Sequence, residues 1–502
     1  MAELTPQDQT TPDELPEHDS PAARPSRRLP EWWNPAAALF VVVAFSVAYV
    51  VFVAEGARDV IVTDAFDPVQ FIAPAVHGHL SLGSLFALHN ENRMLVPNVV
   101  FLVSGVLDHY NQVHLIVLGA LLLVATNGLL VLLCSRFLQR SALLLEACLV
   151  SAIMLSPVDV GNAFHAFQMA WYLVLLIMVV TLWLLGNKTH PWLNLGLAVF
   201  ASALASFSSL QGLLLWPVGL FVIAIWRPSE RYALAGRKPA EGVAVALSIW
   251  ASCAVATTLI YFGGLPSNVG KVSGSSSLAL RDPWLSFRFM VQLLGAFVTS
   301  VAPFEQQALG LVLAAAGIAV VVSSARAARR EGRFPLDGAV TLFALLFGVL
   351  VTAGRVKLGI QYASETRYSM VPLLLATGIV LWCLRLMRTR PSTATRRTIS
   401  PRLLTLLTCA AVAAFSAVTI PSARQARNYY SLVVADGVWV EFHPSYLKTS
   451  RTDSLMKAII YPDLTTYRTL AAAAAGAELG QYSPHVRAGI EAEPPPIGFV
   501  RN

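Results

Sequence analysis

Charge is what this sequence has least of. Asp, Glu, Lys and Arg make up 13% of its 502 residues, against roughly 25% in soluble domains. A chain so poor in charge cannot cover itself with a solvated surface, so a soluble globular protein is excluded. Cysteine is scarce too. Cys134, Cys148, Cys253, Cys383 and Cys409 are the full set, none forms a CxxC, and all lie in or beside apolar blocks. That argues against a disulfide framework, a zinc ribbon and a redox dithiol. The P-loop, the GxGxxG unit, the nucleophile elbow and HExxH are also missing, which leaves nucleotide-driven chemistry unsupported.

Apolar residues are present in excess, at 56%, with a mean hydropathy of +0.61. They fall into blocks of bilayer-spanning length, near 35–54, 112–134, 141–157, 168–186, 191–207, 210–227, 241–263, 306–324, 337–354, 370–388 and 402–420. The expected fold class is an all-α polytopic membrane protein with about 11 transmembrane helices. Residues 1–34 are polar and Pro-rich and read as a disordered cytoplasmic tail with no cleavable signal. Trp32 and Trp33 then suit an interfacial belt. The transmembrane domain is expected over 35–420, and 421–502 forms a small extracytoplasmic C-terminal segment with a short helix at Ala471–Ala475.

The basic residues orient the spans. With the N-terminus inside, twenty of the 36 Lys and Arg fall in cytoplasmic segments. Arg24, Arg27, Arg28, Arg136, Arg140, Lys188, Arg227, Arg231, Arg237, Lys238, Arg326, Arg329, Arg330 and Arg333 are among them, followed by Arg385, Arg388, Arg390, Arg396, Arg397 and Arg402. Only eight fall in outer loops before residue 421, so the positive-inside rule supports this orientation. Two further apolar stretches, 95–107 and 289–303, are short for a crossing and are read as outer-leaflet or re-entrant helices. Counting both would give 13 crossings.

This topology gathers loop 55–111, the turn 158–168, the turn 207–211, loop 264–288 and loop 355–369 on one outer face. In the first loop Asp59, Asp64, Asp67 and Glu91 lie near the bilayer, where an acid is costly unless paired or functional. Such an acid is a solvated loop residue, a general base or a metal ligand. Asp64 is the first choice for the base, since it lies shortly after the first helix and before an amphipathic segment. His77, His79 and His89 make a zinc site conceivable, but their spacing is not the i, i+4 of two ligands on one helix face, so hydrogen-bonded or surface roles are favoured. Asp159, the one acid between Glu146 and Glu230, is a helix cap or an aid to a metal ion. Gln168, Trp171 and Tyr172 suit sugar stacking or an interfacial belt. Ser208, Ser209, Gln211 and Gly212 cap two tightly joined helices. Arg355, Lys357 and Arg367 stand where the charge rule disfavours cations. They grip a phosphate or pair with acids such as Glu365. Lys271, Arg281 and Arg288 add to that field, and the Gly- and Ser-rich loop 264–288 has the composition of a lid.

The acidic first loop, its amphipathic helix, the many spans and the outer basic loop together resemble the GT-C superfamily of integral-membrane glycosyltransferases. These take sugars from polyprenyl-phosphate carriers. The elements His89-Asn90-Glu91-Asn92-Arg93, Gly212 to Pro217, and Gly354-Arg355 through Arg367-Tyr368 are similar to those of uncharacterised bacterial members, many of which carry histidine in place of Asn92. The resemblance implies an inverting glycosyltransferase (hexosyl- or pentosyltransferase) acting at the outer face of the bacterial cytoplasmic membrane. It implies a catalytic acid at Asp64, with Asp67 or Glu91 as alternatives, and phosphate-binding cations at Arg355, Arg367, Lys357 and Arg93. His165, Gln168, Tyr368 and Gln211 are the candidates for sugar or acceptor contacts, and Asp159 for a divalent cation. The expected partners are a polyprenyl-phosphate-linked sugar, a glycan or lipid acceptor and the membrane, with no nucleic acid. A polysaccharide or lipid transporter is the competing class, and a membrane acyltransferase using His89 and Glu91 is a third.

Overall fold

The computed structural model describes residues 33–137, 143–226, 232, 239–264, 275–296, 303–388, 401–443 and 449–493. Residues 1–32 of the N-terminal tail, the 265–274 part of the loop 264–288 read as a lid, and the cations Arg24, Arg27, Arg28, Arg140, Arg227, Arg231, Arg237, Lys238, Arg390, Arg396 and Arg397, expected on the cytoplasmic side, lie outside these residues, as does Lys271.

Regular structure among the described residues is helical, save for one two-stranded hairpin. Apolar blocks in hydrocarbon have no water to satisfy their peptide groups, and a helix pairs them all internally. Among the described residues, seven helices are long and apolar enough to cross a membrane: Pro35–Gly56, Gln112–Arg136, Ala166–Gly186, Ala240–Phe262, Pro303–Glu331, Leu336–Leu358 and Thr366–Leu386. Leu39, Phe40, Leu259 and Val312 stand exposed on them, which suits contact with lipid and would be costly in water. The protein is a multi-pass membrane protein. Leu143–Met154, Pro191–Ser206 and Leu210–Ile225 are shorter apolar helices at three further expected spans.

The two stretches read as non-crossing have informative neighbours. Helix Leu95–Asp108 is tied at one end by Val96 N–H to the Phe207 carbonyl (3.1 Å) and is followed by Tyr110, whose hydroxyl donates to the Ala65 carbonyl (3.0 Å). Both anchors belong to the same end of the bundle. Helix Pro283–Gly295 starts earlier than the apolar run suggested, because Asp282 caps it by accepting from Leu285 N–H (2.9 Å).

The block 402–420 is part of a continuous helix, Pro401–Phe442, that passes through Pro421 without a break. Its 42 residues span roughly 63 Å, about twice the hydrocarbon thickness. Helices Thr449–Ile459, Leu464–Gly476 and Pro484–Ala492 follow, and the second contains Ala471–Ala475. This C-terminal segment shares a core with the first loop. Thr63 N–H donates to the Ile460 carbonyl (2.6 Å), Gly480 N–H to the His109 carbonyl (2.7 Å), and Gln481 accepts from Ile61 N–H (2.8 Å). Phe66 lies edge-on to both Tyr461 and Tyr467.

Candidate functional site

The His89-Asn90-Glu91-Asn92-Arg93 run folds as a tight hairpin, in which Leu88 pairs with Arg93 and His89 with Asn92. Asn90 takes a left-handed backbone (φ 50°), a conformation that asparagine tolerates better than most residues. Two of the hairpin's own residues anchor it. Arg93 is buried, with Nε donating to the Tyr261 carbonyl (2.6 Å), one terminal nitrogen to the Phe86 carbonyl (3.1 Å) and the other to the Gly263 carbonyl. Asn92 Oδ1 accepts from Leu210 N–H (2.9 Å) and from the Ser209 hydroxyl (3.2 Å). His89 and Glu91 are left facing a cavity.

His89 joins two acids. Its Nδ1 is hydrogen-bonded to Asp67, and its Nε2 lies 3.8 Å from Asp64 Oδ2. Asp67 also accepts from the hydroxyl of Tyr461 (2.9 Å), a residue of the C-terminal segment. Phe167 packs on the imidazole at 4.6 Å between ring centres. Burial alone would lower the His89 pKa, but its bonds to Asp64 and Asp67 and their charges outweigh that and raise it to about 9. Burial likewise works against ionisation of Asp64, yet His89 and the more distant Arg367 hold its pKa below the usual carboxylate value. At neutral pH the arrangement is therefore an ionised Asp64 beside an imidazolium.

Opposite stands the basic loop. Arg355, in the last turn of Leu336–Arg355, pairs with Glu91 (3.1 Å) across the cavity. Arg367 pairs with Glu365 (2.5 Å). The Arg367 backbone is fixed by Asn162, whose amide donates to its carbonyl (2.7 Å). A β-carbon on Gly161 would lie 2.5 Å from Arg367 N, so only glycine allows that approach. The third turn relies on the same device, since a β-carbon on Gly212 would sit 1.8 Å from the Ala205 carbonyl oxygen.

The cavity has a volume of about 350 Å³. Asp64 and residues 89–92 line it from the first loop, Phe167, Gln168 and Trp171 from the second turn, Leu210 and Gln211 from the third, Ser276 from the fourth loop, and Gly354, Arg355, Arg367 and Tyr368 from the basic loop. All five polar segments of the sequence thus meet at one place. Tyr368 stacks on Trp171 (6.3 Å, 29°) and lies under the Arg367 guanidinium (5.1 Å).

Of the residues singled out from sequence, Asp64, Glu91, Gln168, Gln211, Arg355, Arg367 and Tyr368 line this cavity. Asp67 stands behind His89. Lys357 is exposed outside the lining, and His165 packs on Tyr430 (5.0 Å). Burial lowers the His165 pKa to about 4, so its ring is neutral. Arg93 is engaged with three backbone carbonyls and lies outside the cavity lining. Asp159 is buried, accepting from Asn162 (2.7 Å) and Ser369 (3.0 Å) at one oxygen and from Tyr172 (2.8 Å) at the other. Burial raises its pKa to about 7 against these three donors. Its donor-filled oxygens do not fit a divalent cation, and no group of three or more His, Cys, Asp or Glu among the described residues is arranged to hold one. Asp159 instead ties the second turn to Ser369, which immediately precedes helix Met370–Arg388. His77 and His79 are exposed and do not line the cavity.

Sequence reading did not anticipate His89 as the link between Asp64 and Asp67, nor Tyr461. His89 stands twelve positions after His77, a separation that carried no signal, and Tyr461 lies some 390 positions downstream of Asp67.

Among solved structures, the chain is similar to the archaeal oligosaccharyltransferase AglB from Archaeoglobus fulgidus, in complex with an inhibitory peptide and a dolichol-phosphate. The TM-score is 0.43 and the identity 14%, over 81% of this chain and 58% of that one. It is also similar to ArnT from Cupriavidus metallidurans bound to undecaprenyl phosphate, with a TM-score of 0.41 and 16% identity over 90% of this chain and 76% of that one. The chain therefore spans under two thirds of the AglB chain. No protein-family model and no curated protein sequence matches it.

Proposed function

We propose that this protein is an inverting glycosyltransferase of GT-C type, moving a sugar from a polyprenyl-phosphate donor to a glycan or lipid acceptor. The reaction takes place at the outer face of the bacterial cytoplasmic membrane, with the N-terminus cytoplasmic and the C-terminal segment extracytoplasmic. One observation carries this reading: Asp64 lines the same cavity as Arg355 and Arg367. An anionic group that can accept a proton and two guanidinium forks that can hold a phosphate therefore face one volume.

In the reaction, the acceptor hydroxyl attacks the anomeric carbon from the face opposite the phosphate. The bond from that carbon to the phosphate oxygen breaks, and its electron pair leaves on the polyprenyl phosphate. Arg355 and Arg367 hold the charge that develops there. The hydroxyl proton passes to a carboxylate oxygen of Asp64. A weakly basic, ionised Asp64 suits this order of events. With an oxocarbenium-like centre, the attacking hydroxyl becomes strongly acidic only as its bond to carbon forms. Trp171, backed by Tyr368, offers a flat apolar face to the sugar ring, and Gln168 and Gln211 offer amides to its hydroxyls.

A transporter would be expected to bind its substrate near the bilayer midplane on interrupted helices. Here the polar groups gather at helix ends, which favours the enzyme reading. The test is release of polyprenyl phosphate from a synthetic polyprenyl-phosphate sugar by the purified protein in proteoliposomes, with wild-type and D64N chains compared. Glycan or lipid movement across the bilayer without sugar transfer would reject the proposal.

A further inference from the structure

A second cavity, of about 210 Å³, opens between the helices Pro303–Glu331 and Met370–Arg388. Arg326, Arg330, Arg333 and Arg385 line it, with Ser323 and one acid, Glu331. It lies at the other end of the bundle from the candidate site. Helix Leu336–Arg355 connects the two, with Asp337 beside Arg385 in its first turn and Arg355 in its last, which separates them by roughly 27 Å.

The charges in this cavity do not balance. Arg385 is buried against Asp337 (3.2 Å) and donates to the Ser323 hydroxyl (3.1 Å), and Glu331 is held by Arg333 (2.8 Å). Arg326 and Arg330 are exposed and four residues apart, so they share one helix face. Among the described residues neither enters an ion pair. Like charges at this spacing repel unless an anion lies between or beside them. The positive-inside tendency accounts for cations at this end. It does not account for guanidinium groups from two helices and a connecting turn converging on one volume. Ile318 and Val322, 60% and 40% exposed, continue the Arg326–Arg330 stripe at four-residue spacing toward the middle of the helix. Leu386 adds an apolar edge to the cavity itself.

We propose that this cavity binds the phosphate headgroup of an anionic lipid, with an acyl chain lying along Val322 and Ile318. Guanidinium forks match phosphate oxygens, and basic pockets between membrane helices on the cytoplasmic side are suited to phosphorylated headgroups. The inference is independent of glycosyl transfer.

The test is native mass spectrometry of the full-length protein released from mixed vesicles of phosphatidylglycerol and phosphatidylcholine. The wild-type chain should retain one phosphatidylglycerol in preference to phosphatidylcholine. R326Q and R330Q, each removing a fork, should each weaken retention about tenfold or more. R329Q removes an exposed charge from the same helix end but outside the cavity, and should weaken retention by no more than about fivefold. Equal losses in the three variants would mean a diffuse surface potential and would overturn the site. So would equal retention of the two lipids. Displacement of phosphatidylglycerol by millimolar inorganic phosphate would identify a free-anion site and overturn the lipid assignment.

Discussion

His89 Nε2 lies 3.8 Å from Asp64 Oδ2 while Nδ1 of the same ring is bonded to Asp67, so a single imidazole joins two carboxylates of the first loop. Folding raises the His89 pKa from 6.5 to about 9. The folded state thus binds this proton more tightly than the unfolded one. The resulting stabilisation is complete below about pH 6.5 and is lost as pH climbs through about 9. Thermal stability of the detergent-purified protein should fall across that window, and should fall less in H89Q. An H89Q chain with the wild-type pH dependence would exclude an imidazolium at this position.

Asp64→Asn keeps the side-chain shape and removes the proton acceptor. Sugar transfer should drop roughly 10²- to 10⁴-fold, with membrane insertion and melting behaviour close to wild type. Full activity in D64N would move the base to Asp67 or Glu91.

Arg355 contacts Glu91 at 3.1 Å with both side chains about 30% exposed, so the pair itself contributes little to stability. In the proposed reaction its guanidinium holds the donor phosphate. R355Q should raise KM for the polyprenyl-phosphate sugar about tenfold or more, whereas E91Q should leave donor affinity near wild type. A larger KM effect from E91Q than from R355Q would reverse the assigned roles.

Tyr461 donates to Asp67 from the C-terminal segment at 2.9 Å. It is absent from the cavity lining, so in the proposed reaction it is a positioning residue that acts through His89 on Asp64. Y461F should lower kcat about fivefold with KM unchanged. The basic limb of its pH profile should also shift to higher pH, since Asp67, freed of a competing donor, holds the His89 proton more tightly. A changed melting temperature with an unchanged pH profile would indicate a purely structural contact.

Gly212 has no room for a side chain against the Ala205 carbonyl. G212A should cost about 1–3 kcal/mol of stability, seen as reduced yield of folded protein. Normal yield and melting would show that the turn can open.

The chain's hydropathy and the placement of its arginines were sufficient to determine a helical membrane protein and the ends at which its polar segments gather. Both properties are set by transfer of whole segments from water to hydrocarbon, which depends on local composition. The same reasoning brought Asp64 and Arg355 to one side, and they do line one cavity. Pairings were a different matter. Arg93 and Arg355 look equivalent as outer cations, yet one is bonded to backbone carbonyls and the other faces Glu91. That difference comes from the hairpin, which buries Arg93 among the carbonyls of Phe86, Tyr261 and Gly263 while leaving Glu91 at its turn to reach Arg355. The boundary read at Pro421 falls inside an unbroken helix, and Tyr461 reaches the first loop from beyond it. Contacts between segments hundreds of residues apart arise from packing of the finished helices, so only the tertiary structure could decide which acid His89 would hold.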